Sequence, residues 1–220
     1  GVITEVTVKI LKKPQTVKAA IIGFSTIEDG GNCVSEIIAS GIIPAGMEMM
    51  DKALIHATDN FVKAGYPRDA ESMLIVELDG TATEVEELIE RVSKIAKKNK
   101  SSSIKISKNE KQRLKFWAGR KAAFPACGDM APDYYCMDGT IPRGKLAEVL
   151  KEIGRLSKKY NLPVANAFHA GDGNLHPLIM YDANEKNSLE KTEKFGADIL
   201  KYCEKVGGVL TGEHGVGVEK

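Results

Sequence analysis

The sequence predicts an α+β protein: two ferredoxin-like β-α-β-β-α-β units with antiparallel sheets, joined by a helix. Three observations predict it. Short strand-like runs alternate with amphipathic helical stretches, the helical stretches carry start signals and glycine stops, and the same order of elements is met twice along 220 residues. The two halves share that order and not their sequence.

Residues 17–24 form an apolar run of strand character. Ser25 with Glu28 fits a capping box, Ile27, Val34, Ile37 and Ile38 recur at helical spacing, and Gly41 stops the helix. Residues 44–50 read as extended, with Met47 and Met49 alternating, and residues 52–64 as a helix with Leu54, Ala57, Phe61 and Val62 on one face. His56 shares a face with Asp59, Asn60 and Lys63 and is expected to be solvated. A strand over 72–78 ends at Asp79-Gly80, and Thr83 with Glu86 makes a second capping box. Val85, Leu88, Ile89, Val92, Ile95 and Ala96 then give an amphipathic helix, and a strand over 103–106 closes the first unit, residues 16–107.

The second unit, residues 108–220, begins with a charged linker helix over 110–123. A strand over 134–141 precedes a helix carrying Leu146, Val149, Leu150, Ile153 and Leu156. Strands over 163–169 and 174–181 follow. A long helix with Leu189, Phe195, Ile199, Leu200, Cys203 and Val206 leads to a finishing strand over 208–211.

Composition narrows the function classes. Lys and Arg number 31 against 30 Asp and Glu, so the formal charge of +1 gives no chain-wide attraction to nucleic acid or to an anionic membrane. No apolar run approaches the roughly 18 residues that span a bilayer, so an integral membrane protein is not expected. Cys33, Cys127, Cys136 and Cys203 show no paired spacing, which points to a reducing compartment and a cytoplasmic address. The chain opens without methionine and closes in a glycine-rich loop, as expected of an excised piece of a longer protein.

The most informative stretch is Phe168-His169-Ala170-Gly171-Asp172-Gly173-Asn174-Leu175-His176. Asp-Gly between extended segments signals a two-residue hairpin turn, which would set His169 opposite His176 with Cβ atoms roughly 4.5–5.5 Å apart. The ferredoxin-like order brings the turn after the second strand and the end of the fourth strand to one end of a sheet. Glu213 and His214, in Gly212-Glu213-His214-Gly215-Val216-Gly217, are therefore expected near the hairpin. Two imidazoles and a carboxylate with open positions suit a catalytic zinc, manganese or ferrous ion. A histidine pair without any ion accounts for the same spacing, and both readings stand at this point. The terminal glycines are in the wrong order for a dinucleotide fingerprint, and P-loop, GxSxG and HExxH motifs are absent. Arg120 is either a bidentate clamp for a carboxylate or a solvated helix cation beside Lys121.

The two histidine motifs together resemble the C-terminal domain of the FAD-linked oxidases, the family of the glycolate oxidase flavoprotein subunit and of D-lactate dehydrogenases. The segments from Ile43 to Asp51, Trp117 to Phe124 and Asp133 to Pro142 resemble it too. The resemblance implies oxidation of a small 2-hydroxy acid to the keto acid by an FAD held mainly in a separate N-terminal domain. It also implies that residues 1–15 close that domain, with Gly1, Val2 and Ile3 near the cofactor. Positions matching His169, His176 and Glu213 hold a divalent metal in metal-dependent relatives, His214 matches their catalytic base, and Arg120 matches their carboxylate-binding arginine. The electron acceptor implied is an iron–sulfur subunit or an electron-transferring flavoprotein, with membrane association only through such partners.

Departures from the family pattern stand at Leu178, where some relatives have asparagine, and at Phe124 and Cys136, where they have threonine and lysine. These favour a compact acid such as glycolate or lactate over a dicarboxylate. The competing functions are a metal-dependent hydrolase, active without flavin, and a non-catalytic ferredoxin-like binding module.

Overall fold

Apolar residues of each strand alternate between two destinations, and that alternation builds three layers. The computed structural model describes residues 2–217. The first half runs β1 (Thr16–Phe24), α1 (Ile27–Ala39), β2 (Gly46–Asp51), α2 (Lys52–Val62), β3 (Ser72–Gly80), α3 (Ala82–Lys98) and β4 (Ser101–Ile106). After α4 (Glu110–Lys121) and α5 (Ala123–Ala126) come β5 (Asp133–Cys136), β6 (Gly139–Thr140), α6 (Leu146–Tyr160), β7 (Val164–His169), β8 (Asn174–Tyr181) and α7 (Ser188–Lys205). On one sheet face Ile22, Leu74, Met49, Phe168 and Ile179 pack under α1, α3, α6 and α7. On the other, Ile21, Ile75, Met50, Ala167 and Leu178 pack under α2, α4 and α5. Side chains two apart share a face, so each strand feeds both cores.

Within the first unit the strand order is β4-β1-β3-β2, all antiparallel, as the ferredoxin-like pattern requires. The units do not hold separate sheets. The second strand of each is an edge strand, and β2 pairs antiparallel with β7 through Glu48↔His169, Met49↔Phe168 and Met50↔Ala167. One eight-stranded sheet, β4-β1-β3-β2-β7-β8-β5 with β6 on β8, results. Pairing the two edges satisfies backbone groups that either unit alone would leave open.

Five local expectations are corrected. The α1 cap is Thr26, whose Oγ1 accepts the Asp29 N–H at 3.0 Å, and the capping box of α3 is Thr81 with Glu84, each pair at the same three-residue spacing as the expected one. The strand over 134–141 is interrupted between β5 and β6 because Pro177, opposite the gap on β8, has no N–H to donate. The finishing strand reduces to one bridge, Thr140↔Val209. His56 is half-buried, its Nε2 lying 2.7 Å from the Arg68 carbonyl oxygen.

No strand forms over residues 2–14. Val2 and Ile3 are 89% and 84% exposed, because a strand needs a neighbour for its backbone groups and none of the described residues provides one. Gly1 lies outside the described residues.

A buried acid fastens the seam between the units. Asp51 caps α2 by accepting the Leu54 N–H at 3.0 Å, while its other oxygen accepts the Asn166 N–H at 2.9 Å and side-chain amide at 2.7 Å. Burial pushes the Asp51 carboxyl up to about 6 from 3.8, although these donors pull the other way. Between those values the unfolded chain releases a proton that the folded chain keeps. The stabilisation from this group is therefore full below the unfolded value and is lost as pH rises through the folded one. Relative to Asp51→Asn, which does not titrate, the wild type is expected to lose about 2 kcal/mol of stability from pH 4 to 7. Urea unfolding followed by the fluorescence of the single tryptophan, Trp117, measures it, and a pH-independent difference refutes it.

Candidate functional site

The histidine hairpin closes through a four-residue loop in place of the expected two-residue turn. The His169 carbonyl accepts the N–H groups of both Asp172 and Gly173 at 3.0 Å, so residues 170–173 form the loop and His169 pairs with Asn174. His176 then lies opposite Ala167. Gly173 decides this geometry: it has φ +78°, a Cβ there would sit 2.2 Å from the Ile141 carbonyl oxygen, and its own carbonyl accepts the Ile141 N–H. The register differs from the expected one by an even number of residues, which preserves the face. His169 and His176 still meet, edge to face, with ring centroids 5.1 Å apart.

Asp138 brings the terminal loop to them. It is fully buried in the gap between β5 and β6, and its Oδ2 accepts three successive backbone N–H groups, from Gly212 (3.0 Å), Glu213 (3.1 Å) and His214 (2.7 Å). Three consecutive amides can converge on one oxygen only if the chain curls. That curl lets neighbouring side chains, which would diverge from an extended segment, reach one place. Glu213 Oε1 lies 2.8 Å from His176 Nε2 and 3.4 Å from His169 Nε2, and the His214 ring stacks on His176 with centroids 5.4 Å apart. Asp138→Ala is expected to free the loop and weaken metal binding by at least about tenfold with the sheet intact, as loss of an orienting partner does. Equilibrium dialysis with zinc checks this, and unchanged affinity counts against it.

Arg120 is not a solvated cation. Tyr66 donates to the Phe116 carbonyl and packs so closely on Gly119 that a Cβ would lie 2.2 Å from its hydroxyl, which presses the last turn of α4 against the sheet. Arg120, 11% exposed, donates from Nε to Glu48 Oε2 at 2.9 Å, and Glu48 Oε1 lies 2.7 Å from His169 Nδ1. Glu48 was not singled out by sequence reasoning, and neither was Asp138. Their only signal was membership of the segments 43–51 and 133–142.

The hydrogen bond that His169 donates to Glu48 holds its ring above the ordinary imidazole range, against the opposing effect of burial. Burial holds His176 below that range, and the charge of His169 pushes the same way. The ligand atoms of His169, His176 and Glu213 lie within 4.8 Å of one another. Ligands about 2.0–2.2 Å from one zinc-class ion stand roughly 3–3.5 Å apart, so the donor set fits such an ion with a small contraction. A cavity of about 470 Å³ adjoins the site, lined by Pro44, Met47, Glu48, Arg143, Gly171 and Asp172. The larger one, about 690 Å³ between Thr26, Glu71 and Glu148, contains none of these groups.

Leu178 is fully buried and pairs with Cys136, while Phe124 tilts against Tyr134 at 5.9 Å, on the same side of the sheet as His176. Val2 and Ile3 do not join the site.

The sequence profile described as FAD linked oxidases, C-terminal domain, matches residues 13–220. The chain belongs to this family. It is 53% identical over its whole length to the glycolate oxidase subunit GlcD of Escherichia coli, covering 44% of that protein. Identity is 34% to the GlcD subunit of Bacillus subtilis, of which it covers 47%, and 30% to the mitochondrial D-lactate dehydrogenase [cytochrome] of Arabidopsis thaliana, of which it covers 39%. The chain thus spans less than half of these relatives. The fold is that of p-cresol methylhydroxylase, with a TM-score of 0.67 at 15% identity over 91% of this chain and 46% of that one. Alkyldihydroxyacetonephosphate synthase is similar, with a TM-score of 0.62 at 17% identity over 90% and 40%. No helix among the described residues is long and apolar enough to cross a membrane.

Proposed function

We propose that this chain is the substrate- and metal-binding part of an FAD-dependent oxidoreductase that oxidises a small 2-hydroxy acid, glycolate or D-lactate, to the keto acid. The observation that carries this reading is the convergence of His169, His176 and Glu213, with Arg120 tied to the same cluster through Glu48. His169, His176 and Glu213 would hold a divalent ion such as zinc, manganese or iron, which as a Lewis acid would polarise a substrate oxygen. FAD, held mainly by the part of the protein outside this chain, supplies the hydride acceptor.

With Nε bonded to Glu48, Arg120 keeps its two terminal nitrogens for the substrate carboxylate, a planar fork on a planar anion. His214, exposed on the open side of the trio, takes a proton from the substrate as the carbon-bound hydrogen leaves. Its ring is positioned by stacking on His176 and by the amide that Asp138 binds. General-base help of this kind is typically worth about 10²–10⁴-fold. Apolar Leu178, with Phe124 and Cys136 nearby on the same face, offers nothing to a second carboxylate, which favours a short acid.

The electron acceptor in this reading is an iron–sulfur subunit or an electron-transferring flavoprotein. The four cysteines form no disulfide among the described residues, which fits a cytoplasmic address. The experiment is anaerobic mixing of the full-length flavoprotein with glycolate, D-lactate and a dicarboxylic 2-hydroxy acid. Bleaching of the flavin by the short acids supports the reading, and bleaching by none of them, or by the dicarboxylate alone, overturns it.

A further inference from the structure

Glu48 is an acid without a water-facing role. Its side chain is 11% exposed, and each oxygen is committed to a different group: Oε1 to His169 Nδ1 at 2.7 Å and Oε2 to Arg120 Nε at 2.9 Å. A carboxylate accepts and does not donate, so the nitrogen of His169 that faces it is the one that carries hydrogen. The opposite nitrogen, Nε2, faces Glu213 Oε1 at 3.4 Å and is the one that would be left to a metal ion once its proton is displaced. The same carboxylate fixes the guanidinium by its inner nitrogen and so aims the outer two. Glu48 reaches both because it sits mid-strand on β2, directly opposite His169 across the seam between the units.

We propose that Glu48 is a positioning residue that sets the tautomer of His169 for metal binding and the direction of Arg120 for the substrate carboxylate, joining the two subsites into one rigid unit. The inference rests on the function proposed above. It assigns to the β2–β7 seam a task beyond closing the sheet: metal and carboxylate are held at a fixed distance because one side chain holds both of their receptors.

The test uses the full-length flavoprotein freed of metal with a chelator, with zinc as the probe. Glu48→Gln has one acceptor for two donors and sets its own N–H₂ against the other. It should weaken zinc binding by about 10–100-fold, as loss of a ligand's outer partner does, and raise KM for the substrate. Nitrogen NMR of the metal-free imidazoles supplies a readout that packing alone would not move: His169 carries its proton on Nδ1 in the wild type and shifts toward Nε2 in the variant. If Glu48→Gln does not fold, Glu48→Asp decides, since it keeps the charge beside Arg120 but is one methylene too short for both partners; weaker zinc binding is again expected. Zinc affinity and tautomer equal to wild type in the folded variant, while His169→Ala loses zinc, overturn the role of Glu48 and leave the metal site standing. A wild type that binds neither zinc nor manganese overturns the underlying reading instead.

Discussion

In the full-length protein, His214→Asn is expected to lower the rate of flavin reduction by substrate by about 10²–10⁴-fold and to leave metal and flavin bound, whereas Glu213→Gln, His169→Ala and His176→Ala are expected to lose or weaken the metal. The two neighbours separate because their contacts differ. Glu213 faces the Nε2 atoms of both histidines, while His214 lies flat on His176 and touches the cluster through its ring. A ligand holds an ion and a base moves a proton, so the losses fall in different assays. Metal stoichiometry and single-turnover flavin reduction on the four variants decide it. Loss of metal in His214→Asn with retention in Glu213→Gln reverses the roles, and four variants with full metal and full rate place the chemistry elsewhere.

Arg120→Lys is expected to lower kcat/KM by about 100-fold, roughly 3 kcal/mol, with flavin content unchanged. The charge is kept, so the nearly buried Glu48 retains a cation, and the 3–5 kcal/mol typical of breaking a buried pair is not incurred. A lysine is a point charge, however. Once its ammonium is drawn to Glu48 it has no planar edge left for a carboxylate, whereas arginine serves both with different nitrogens. Steady-state kinetics with glycolate and D-lactate check this, and an unchanged kcat/KM would leave Arg120 as a structural partner of Glu48 alone.

Both histidine motifs were legible as chemistry because histidines and glycines are concentrated in short, patterned stretches. Their meeting was legible as well, since it follows from strand order. The turn was not: Asp-Gly favours a two-residue loop locally, but Gly173 docks against Ile141, a contact from another strand connection that no local preference encodes. Glu48 and Asp138 were invisible for a related reason. A lone acid in an apolar strand carries no pattern, and what makes it matter is the residue it faces across the sheet. The alternation of Met47 and Met49 showed β2 as a strand without saying that its neighbour would be β7. Arg120 looked like half of an Arg-Lys pair on a charged helix, and only the packing of Tyr66 on Gly119 turns it inward.

Periodicity and punctuation by themselves determined most of the elements, their order, the ferredoxin-like units and the identity of the histidine and Glu-His motifs, because these depend on residues close in the chain. Tertiary structure decided that the two units share one sheet, that Asp51 and Asn166 fasten its seam, and that Glu48 and Asp138 aim the residues of the site. Those outcomes depend on which strand edges find each other, and hydrogen bonds between edges are blind to side-chain sequence. The partners of a buried carboxylate therefore exist only once the chain has folded.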